Sequence, residues 1–170
     1  MREPDLQSLV RAFGEAGIEF IVVGGVAAVL NGAPVNTFDI DVVHSREESN
    51  VARIMQVLDA ADAIFRIQPE RKIRPTASHL SGPGHLNLIT RWGPVDVMGS
   101  IGQGMGYADL LPNTIEMEIA AGVSARVLDL PTLIALKEAL GGEKDRAVLP
   151  QLRRTLEEKQ RLEAQRRAGA

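Results

Sequence analysis

The sequence predicts an α/β fold: a small mixed β-sheet flanked by helices, with a helical segment closing the chain. Three observations predict it. Over the first sixty residues apolar positions recur alternately at helical and strand periods. Aspartates stand inside otherwise apolar strand candidates at two separate places. From Asp129 onward the pattern becomes wholly helical.

The elements follow in order. Pro4 to Ala16 places Leu6, Leu9, Val10 and Phe13 on one helical face, with Pro4-Asp5 suited to its start and Gly17 to its end. Ile18 to Val23 is a short β-branched run ending at Gly24-Gly25, which reads as a buried strand. Val26 to Leu30 gives a short helical turn closed by Asn31-Gly32. Phe38 to Val43 alternates at the strand period. Ser45 and Glu48 have capping-box spacing ahead of the stripe Val51, Ile54, Met55 and Leu58.

The middle carries Ala63 to Ile67 as a strand candidate and Gln68 to Gly84 as a polar loop. His85 to Thr90 and Val95 to Met98 read as a hairpin turning at Arg91 to Pro94. The glycines from Gly99 to Gly106 demand a loop, hypothetically a mobile lid beside Asp96. Ser124 to Leu128 reads as a last strand. Asp129 with Pro131 starts a helix that Gly141-Gly142 stops, and Pro150 reads as opening the final helix. The expected organisation is a core over 1–128 with helices on one side of its sheet, and a helical segment over 129–170 packed on the core and exposed from about 155.

Composition narrows the function classes. The chain has 170 residues, 45% of them apolar, enough for one compact domain with a real core. No apolar run approaches the ~20 residues that cross a bilayer. Met1 to Asp5 offers no apolar segment of signal-peptide length, so a cytoplasmic protein that meets no membrane is expected. The absence of cysteine excludes disulfides and thiolate zinc sites. A net charge of -3 argues against a broad nucleic-acid surface. Arg66, Arg71, Lys72, Arg74 and Arg91 read either as a local basic patch or as a solvated loop. His44, His79 and His85 lack the helical pairing of a histidine metal site. Trp92 and Tyr107 read as packed aromatics sooner than as base-stacking platforms. Gly102, Gly104 and Gly106 do not form the dinucleotide fingerprint, which needs a strand before it and a helix after.

The chemistry sits in three carboxylates. Aspartate is depleted in strands because its short charged side chain competes for backbone hydrogen bonds and is costly to desolvate. Asp39 and Asp41 are two residues apart, so they project from one face with Cα atoms roughly 6–7 Å apart, while Ile40 and Val42 point into the core. Asp96, between Val95 and Val97, repeats the signature. If its strand pairs beside the first, about 4.8 Å away, the three carboxylates converge. Such a cluster needs a cation to stay ionised, and magnesium is the natural occupant, completed by substrate phosphates. Each piece alone has a plainer explanation: a solvent-facing strand edge for the aspartates, a turn for Gly24-Gly25. In this order they form a phosphoryl-transfer layout, the glycines letting backbone approach a phosphate ahead of the paired carboxylates.

Ile21-Val-Val-Gly-Gly25, Thr37-Phe-Asp39-Ile-Asp41-Val42 and Val95-Asp96-Val97 together resemble the nucleotidyltransferase superfamily signature. The hairpin Leu86 to Asp96 and the pieces Leu133 to Lys137 and Glu143 to Asp145 are similar to the AbiEii-like nucleotidyltransferase toxins and their uncharacterised relatives. Matching pieces run from about Glu19 to Pro150. In two respects the chain departs from many relatives: Val35-Asn36 stands where they carry a basic residue ahead of the threonine, and little chain follows Asp145 to build an acceptor-binding domain.

The resemblance implies transfer of a nucleoside monophosphate from a nucleoside triphosphate to a hydroxyl, on an RNA end or a protein, with an antitoxin partner in a toxin–antitoxin setting. It implies two magnesium (or manganese) ions held by Asp39, Asp41 and Asp96, with Asp96 nearest the nucleophile. Lys137 and Lys144 would neutralise phosphate charge, or be ordinary helix-surface lysines. Asp145 would orient a lysine or merely begin a helix. Thr37 would hold the carboxylates or simply favour a strand. Two other readings stand beside this one: a non-catalytic nucleotide- or partner-binding module, and an antibiotic-modifying nucleotidyltransferase.

Overall fold

The described chain opens with helix α1 (Leu6–Glu15), where the Asp5 side chain accepts the Ser8 backbone N–H at 3.1 Å and caps the first turn. Leu9, Val10 and Phe13 form its buried stripe. Then come β1 (Phe20–Val23), α2 (Gly24–Leu30), β2 (Ile40–His44) and α3 (Glu48–Ala60). The middle holds β3 (Ile64–Phe65), α4 (Ala77–Ser81), β4 (His85–Thr90) and β5 (Gly93–Met98). It is followed by α5 (Tyr107–Leu110), β6 (Thr114–Ala120), β7 (Val123–Leu128), α6 (Leu130–Leu140) and α7 (Glu143–Ala168). The computed structural model describes residues 3–170. Met1 and Arg2, part of the stretch read as lacking a signal peptide, lie outside the described residues.

Among the described residues the strands form one mixed sheet in the order β3-β4-β5-β2-β1-β7-β6. At its centre β2 runs antiparallel to β1 and parallel to β5. These central strands are nearly continuous apolar runs, as sheets covered on both faces require. Helices lie against both faces rather than one. Phe13 of α1 meets Phe20 edge-on at 5.1 Å and Trp92 at 6.2 Å on one side. On the other, Leu133 and Leu136 of α6 share a cavity with Val23, Asp41 and Met98. Trp92 is therefore a core aromatic at the β4–β5 turn, where Thr90 Oγ1 accepts the Trp92 backbone N–H at 3.1 Å and donates to the Gly93 carbonyl at 3.0 Å.

Several expectations are corrected. Gly24 and Gly25 open α2 instead of standing in a turn before it. Glu47, not Ser45, is the N-cap of α3, and it makes no side-chain cap bond. Ser45 ends the β2 side of the connection, where its carbonyl accepts from Asn50 Nδ2 at 2.8 Å and its hydroxyl accepts the Glu47 N–H at 3.3 Å. The strand read over Ala63 to Ile67 contracts to β3, although the Arg66 N–H still bonds to the Asn87 carbonyl at 2.8 Å. The polar loop after it contains α4, capped by Thr76. The Gly99–Gly106 segment closes on itself through the Ile101–Met105 bridge.

Pro150 lies inside α7 instead of opening it. Its ring removes one helical N–H donor. Burial of Leu149 and Leu152 on either side of it keeps the helix continuous at that cost. Thr155 is still buried, and the unbroken run of exposed residues begins only at Gln160. Asn31 ties α7 to the core: its Nδ2 donates to the Ala27 and Leu128 carbonyls, and its Oδ1 accepts from Lys159 Nζ at 3.0 Å.

Leu152 is fully buried, so Leu152→Ala is expected to cost about 2–4 kcal/mol. A single cooperative melt shifted downward would show that 129–170 folds with the core. An unchanged main transition would make it an independent annex.

Candidate active site

The sheet register assembles the site. Asp41 of β2 pairs with Asp96 of β5, Asp96 pairs with Asn87 of β4, and Asp41 pairs with Val23 of β1. Residues directly opposite in a sheet share a face, so Val23, Asp41, Asp96 and Asn87 make one row across four strands. Arg66 extends the row, because it follows β3 and bonds to the Asn87 backbone. Asp39 stands one residue ahead of β2, not inside it. The two-residue spacing nevertheless brings it to the same face. Carboxylate oxygens of Asp39, Asp41 and Asp96 all lie within 4.8 Å of one another.

Close carboxylates in a half-buried place oppose one another's ionisation. Burial, then the charges of Asp39 and Asp96, push the Asp41 carboxyl up to about 7. Asp39 is raised in the same direction, by burial first and Asp96 next, and Arg66 offsets part of this. The guanidinium of Arg66 donates from Nη2 to Asp96 Oδ1 at 2.8 Å, and its Nη1 lies 3.7 Å from Asp39 Oδ2. Three hard oxygen donors, close enough to repel, are a donor set that fits magnesium or manganese.

The two glycines make room for side chains of the site. Gly24 has φ +65, and a Cβ added there would collide with Asp41 Oδ2. A Cβ on Gly25 would stand 2.9 Å from Thr37 Oγ1. The space left by each missing side chain is thus taken by Asp41 and by Thr37. Thr37 Oγ1 donates to the Asp39 carbonyl at 3.0 Å, so it fixes the backbone that carries Asp39 and not a carboxylate.

The remaining candidates gather on the α6–α7 side. Asp129 caps α6 by accepting the Thr132 N–H at 2.9 Å, and Gly141 ends the helix at φ +62. Lys137 Nζ then meets Asp145 Oδ1 at 3.1 Å, with both side chains 24% exposed, and Asp145 stands in the first turn of α7 as well. A cleft of about 170 Å³ is lined by Gly25, Asn36, Lys137, Lys144 and Asp145 among others. A second, of about 160 Å³, joins Gly24, Asp41 and Lys137 to Leu136 and Leu140. Lys137 lines both. Gly102, Leu136 and Leu140 also line an apolar recess of about 450 Å³ with Met105 and Pro131.

At least three of the five residues read as a basic patch are engaged within the chain. Arg66 turns to the carboxylates, Arg74 pairs with Asp62 at 3.1 Å, and Arg91 donates to the Ala60 carbonyl at 2.6 Å. Arg66 and Asn87 are the members of the row that sequence reasoning did not assign to the site. Only knowledge of the β3–β4–β5 register could have found them. No helix among the described residues is long and apolar enough to cross a membrane.

No family model and no curated protein sequence matches the chain. Solved structures do. A provisionally assigned nucleotidyltransferase from Thermotoga maritima superposes with a TM-score of 0.54 at 20% identity, over 90% of this chain and 91% of that one. The lincosamide antibiotic adenylyltransferase LnuA, solved with lincomycin bound, gives a TM-score of 0.58 at 12% identity, over 89% of this chain and 98% of that one. At such identities the likeness is one of fold: the chain folds as these nucleotidyltransferases do, along nearly its whole length.

Proposed function

We propose that this chain is a metal-dependent nucleotidyltransferase that moves a nucleoside monophosphate from a nucleoside triphosphate to a hydroxyl acceptor. The observation that carries the reading is the convergence of Asp39, Asp41 and Asp96 on one sheet face beside Gly24 and Lys137. Asp39, Asp41 and Asp96 would hold the divalent metal. A metal bound there supplies charge neutralisation on the phosphates and lowers the pKa of the attacking hydroxyl.

The chain's own residues do the rest. Asp96, by its place in the motif, would lie nearest the acceptor hydroxyl and draw its proton. The acceptor oxygen bonds to the α-phosphorus as the bond to the β-phosphate bridging oxygen breaks, and pyrophosphate leaves. Lys137, held by Asp145, and Lys144 in the adjoining cleft neutralise the departing charge. Gly24 and Gly25 leave the space that Asp41 and Thr37 occupy, and their backbone would approach the triphosphate.

Two acceptor classes follow from different observations. The motif resemblance points to an RNA end or a protein side chain, with magnesium as the ion and an antitoxin as partner. The apolar recess of about 450 Å³, which shares Leu136, Leu140 and Gly102 with the Asp41 cleft, supports a small hydroxylated molecule with an apolar body. The fold likeness to an antibiotic adenylyltransferase supports it too.

The test is calorimetric binding of the four nucleoside triphosphates with and without magnesium, to wild type and Lys137→Met, followed by pyrophosphate release with RNA, protein and small-molecule acceptors. Magnesium-dependent binding that weakens about tenfold in the variant is expected. No binding of any triphosphate would remove the enzyme reading and leave a partner-binding module.

A further inference from the structure

Arg66 is a charged side chain placed where a metal's charge is needed. Its Nη2 is on Asp96 Oδ1 at 2.8 Å, with a longer contact to the Leu88 carbonyl at 3.4 Å, and its Nη1 lies 3.7 Å from Asp39 Oδ2. Its side chain is 29% exposed, so these contacts are less screened by water than those of a surface pair. Its Nε is buried without a hydrogen-bond partner. A buried N–H left unpaired costs free energy. The carboxylates therefore hold this guanidinium despite incomplete satisfaction elsewhere. Backbone pairing at Asn87 delivers it there, so the placement belongs to the sheet and not to a loose surface side chain.

We propose that Arg66 is the resident counter-cation of the triad, competing with a divalent ion for Asp96 and Asp39 and so making metal loading depend on the triphosphate. This rests on the metal-site reading above. With all three carboxylates ionised, Arg66 leaves a net charge of two negatives. One divalent ion balances that, and a second overshoots it unless the polyanionic substrate arrives as well. Arg66 already engages Asp96 Oδ1, so an ion ligated at that oxygen would share it with the guanidinium, each weakening the other's hold. The metal-free protein keeps a partly neutralised, ordered site, and the ions enter with their substrate instead of ahead of it.

The experiment titrates manganese alone into the full chain, above neutral pH, then repeats the titration with a non-hydrolysable triphosphate analogue. Arg66→Gln, which removes the positive charge, should bind manganese alone about tenfold tighter than wild type. Arg66→Lys keeps a charge on a shorter stem without the planar fork, and should be tighter by about threefold. With the analogue present both differences should shrink to about twofold or less. Manganese binding in either variant that equals or falls below wild type would overturn the proposal and leave Arg66 a support for Asp96. If Arg66→Gln does not fold, Arg66→Lys decides alone. Asp41→Asn is the control for the underlying reading: manganese binding unaffected there would remove the metal site itself, whatever Arg66 does.

Discussion

Asp41→Asn should abolish transfer and, in the same protein, raise the melting temperature of the metal-free fold above neutral pH. The first effect follows from loss of a central ligand, and a drop of about a thousandfold or more in turnover is expected. The second follows from linkage. The folded carboxyl is pushed up to about 7 from 3.8, so between those values the folded state holds a proton that the unfolded chain has released. Stability tied to Asp41 is therefore full below about 3.8, declines as pH rises through the window, and is lost above about 7. With the repulsion shared among three carboxylates, the penalty is roughly 2 kcal/mol. The amide cannot ionise and escapes it. In a chelator, melting curves from mildly acidic to mildly alkaline pH should fall for wild type and stay flatter for the variant. The gap should reach about 4–8 °C at the alkaline end. Magnesium or manganese added together with a non-hydrolysable triphosphate analogue should stabilise wild type and leave the variant unmoved. A variant that melts below wild type at alkaline pH would mean that Asp41 supports the fold and is not strained by its neighbours.

Gly24→Ala should damage the fold and the site together. The residue sits at φ +65, where an alanine costs about 1 kcal/mol from backbone alone. The added methyl would also fall on the Asp41 carboxylate, with Asp41 Cγ only 2.9 Å away. The whole side chain would have to leave the triad. A total loss of about 2–4 kcal/mol and at least a hundredfold fall in activity are expected. A double-mutant cycle separates the two causes. In an Asp41→Gly background the cost of Gly24→Ala should shrink to the backbone part. An undiminished cost would place the damage in the backbone alone.

The candidate site was legible where its residues carried a local contradiction. Aspartates flanked by Ile40, Val42, Val95 and Val97 announce themselves, because a charged residue between β-branched neighbours demands a reason. Their convergence needed one further fact, the parallel pairing of β2 with β5, which spacing suggests but does not fix. Other parts gave weaker signals. In β6, Ile115, Met117 and Ile119 do alternate with Glu116 and Glu118, yet an edge strand with one partner buries little and its pattern is faint. Pro150 misleads because propensity is local, whereas the burial of Leu149 and Leu152 that keeps α7 whole is tertiary. Arg66 gives no local sign at all. Nothing near a two-residue strand marks a cation that meets a carboxylate thirty positions later.

The row from Val23 to Arg66 also bears on which sequence changes this protein can absorb. Its carboxylates are not presented by loops that can lengthen and readjust. They are rungs of a ladder, and a side chain's face alternates with every residue. A single inserted or deleted residue within β2 or β5 would turn one aspartate to the opposite face while leaving its apolar neighbours in the site. The stretches between the rungs, such as 67–84 and 99–106, carry no such parity. Length variation among descendants of this chain should therefore accumulate in those stretches and stop abruptly at the strand ends, so that alignment gaps would outline the active site before any residue in it was identified.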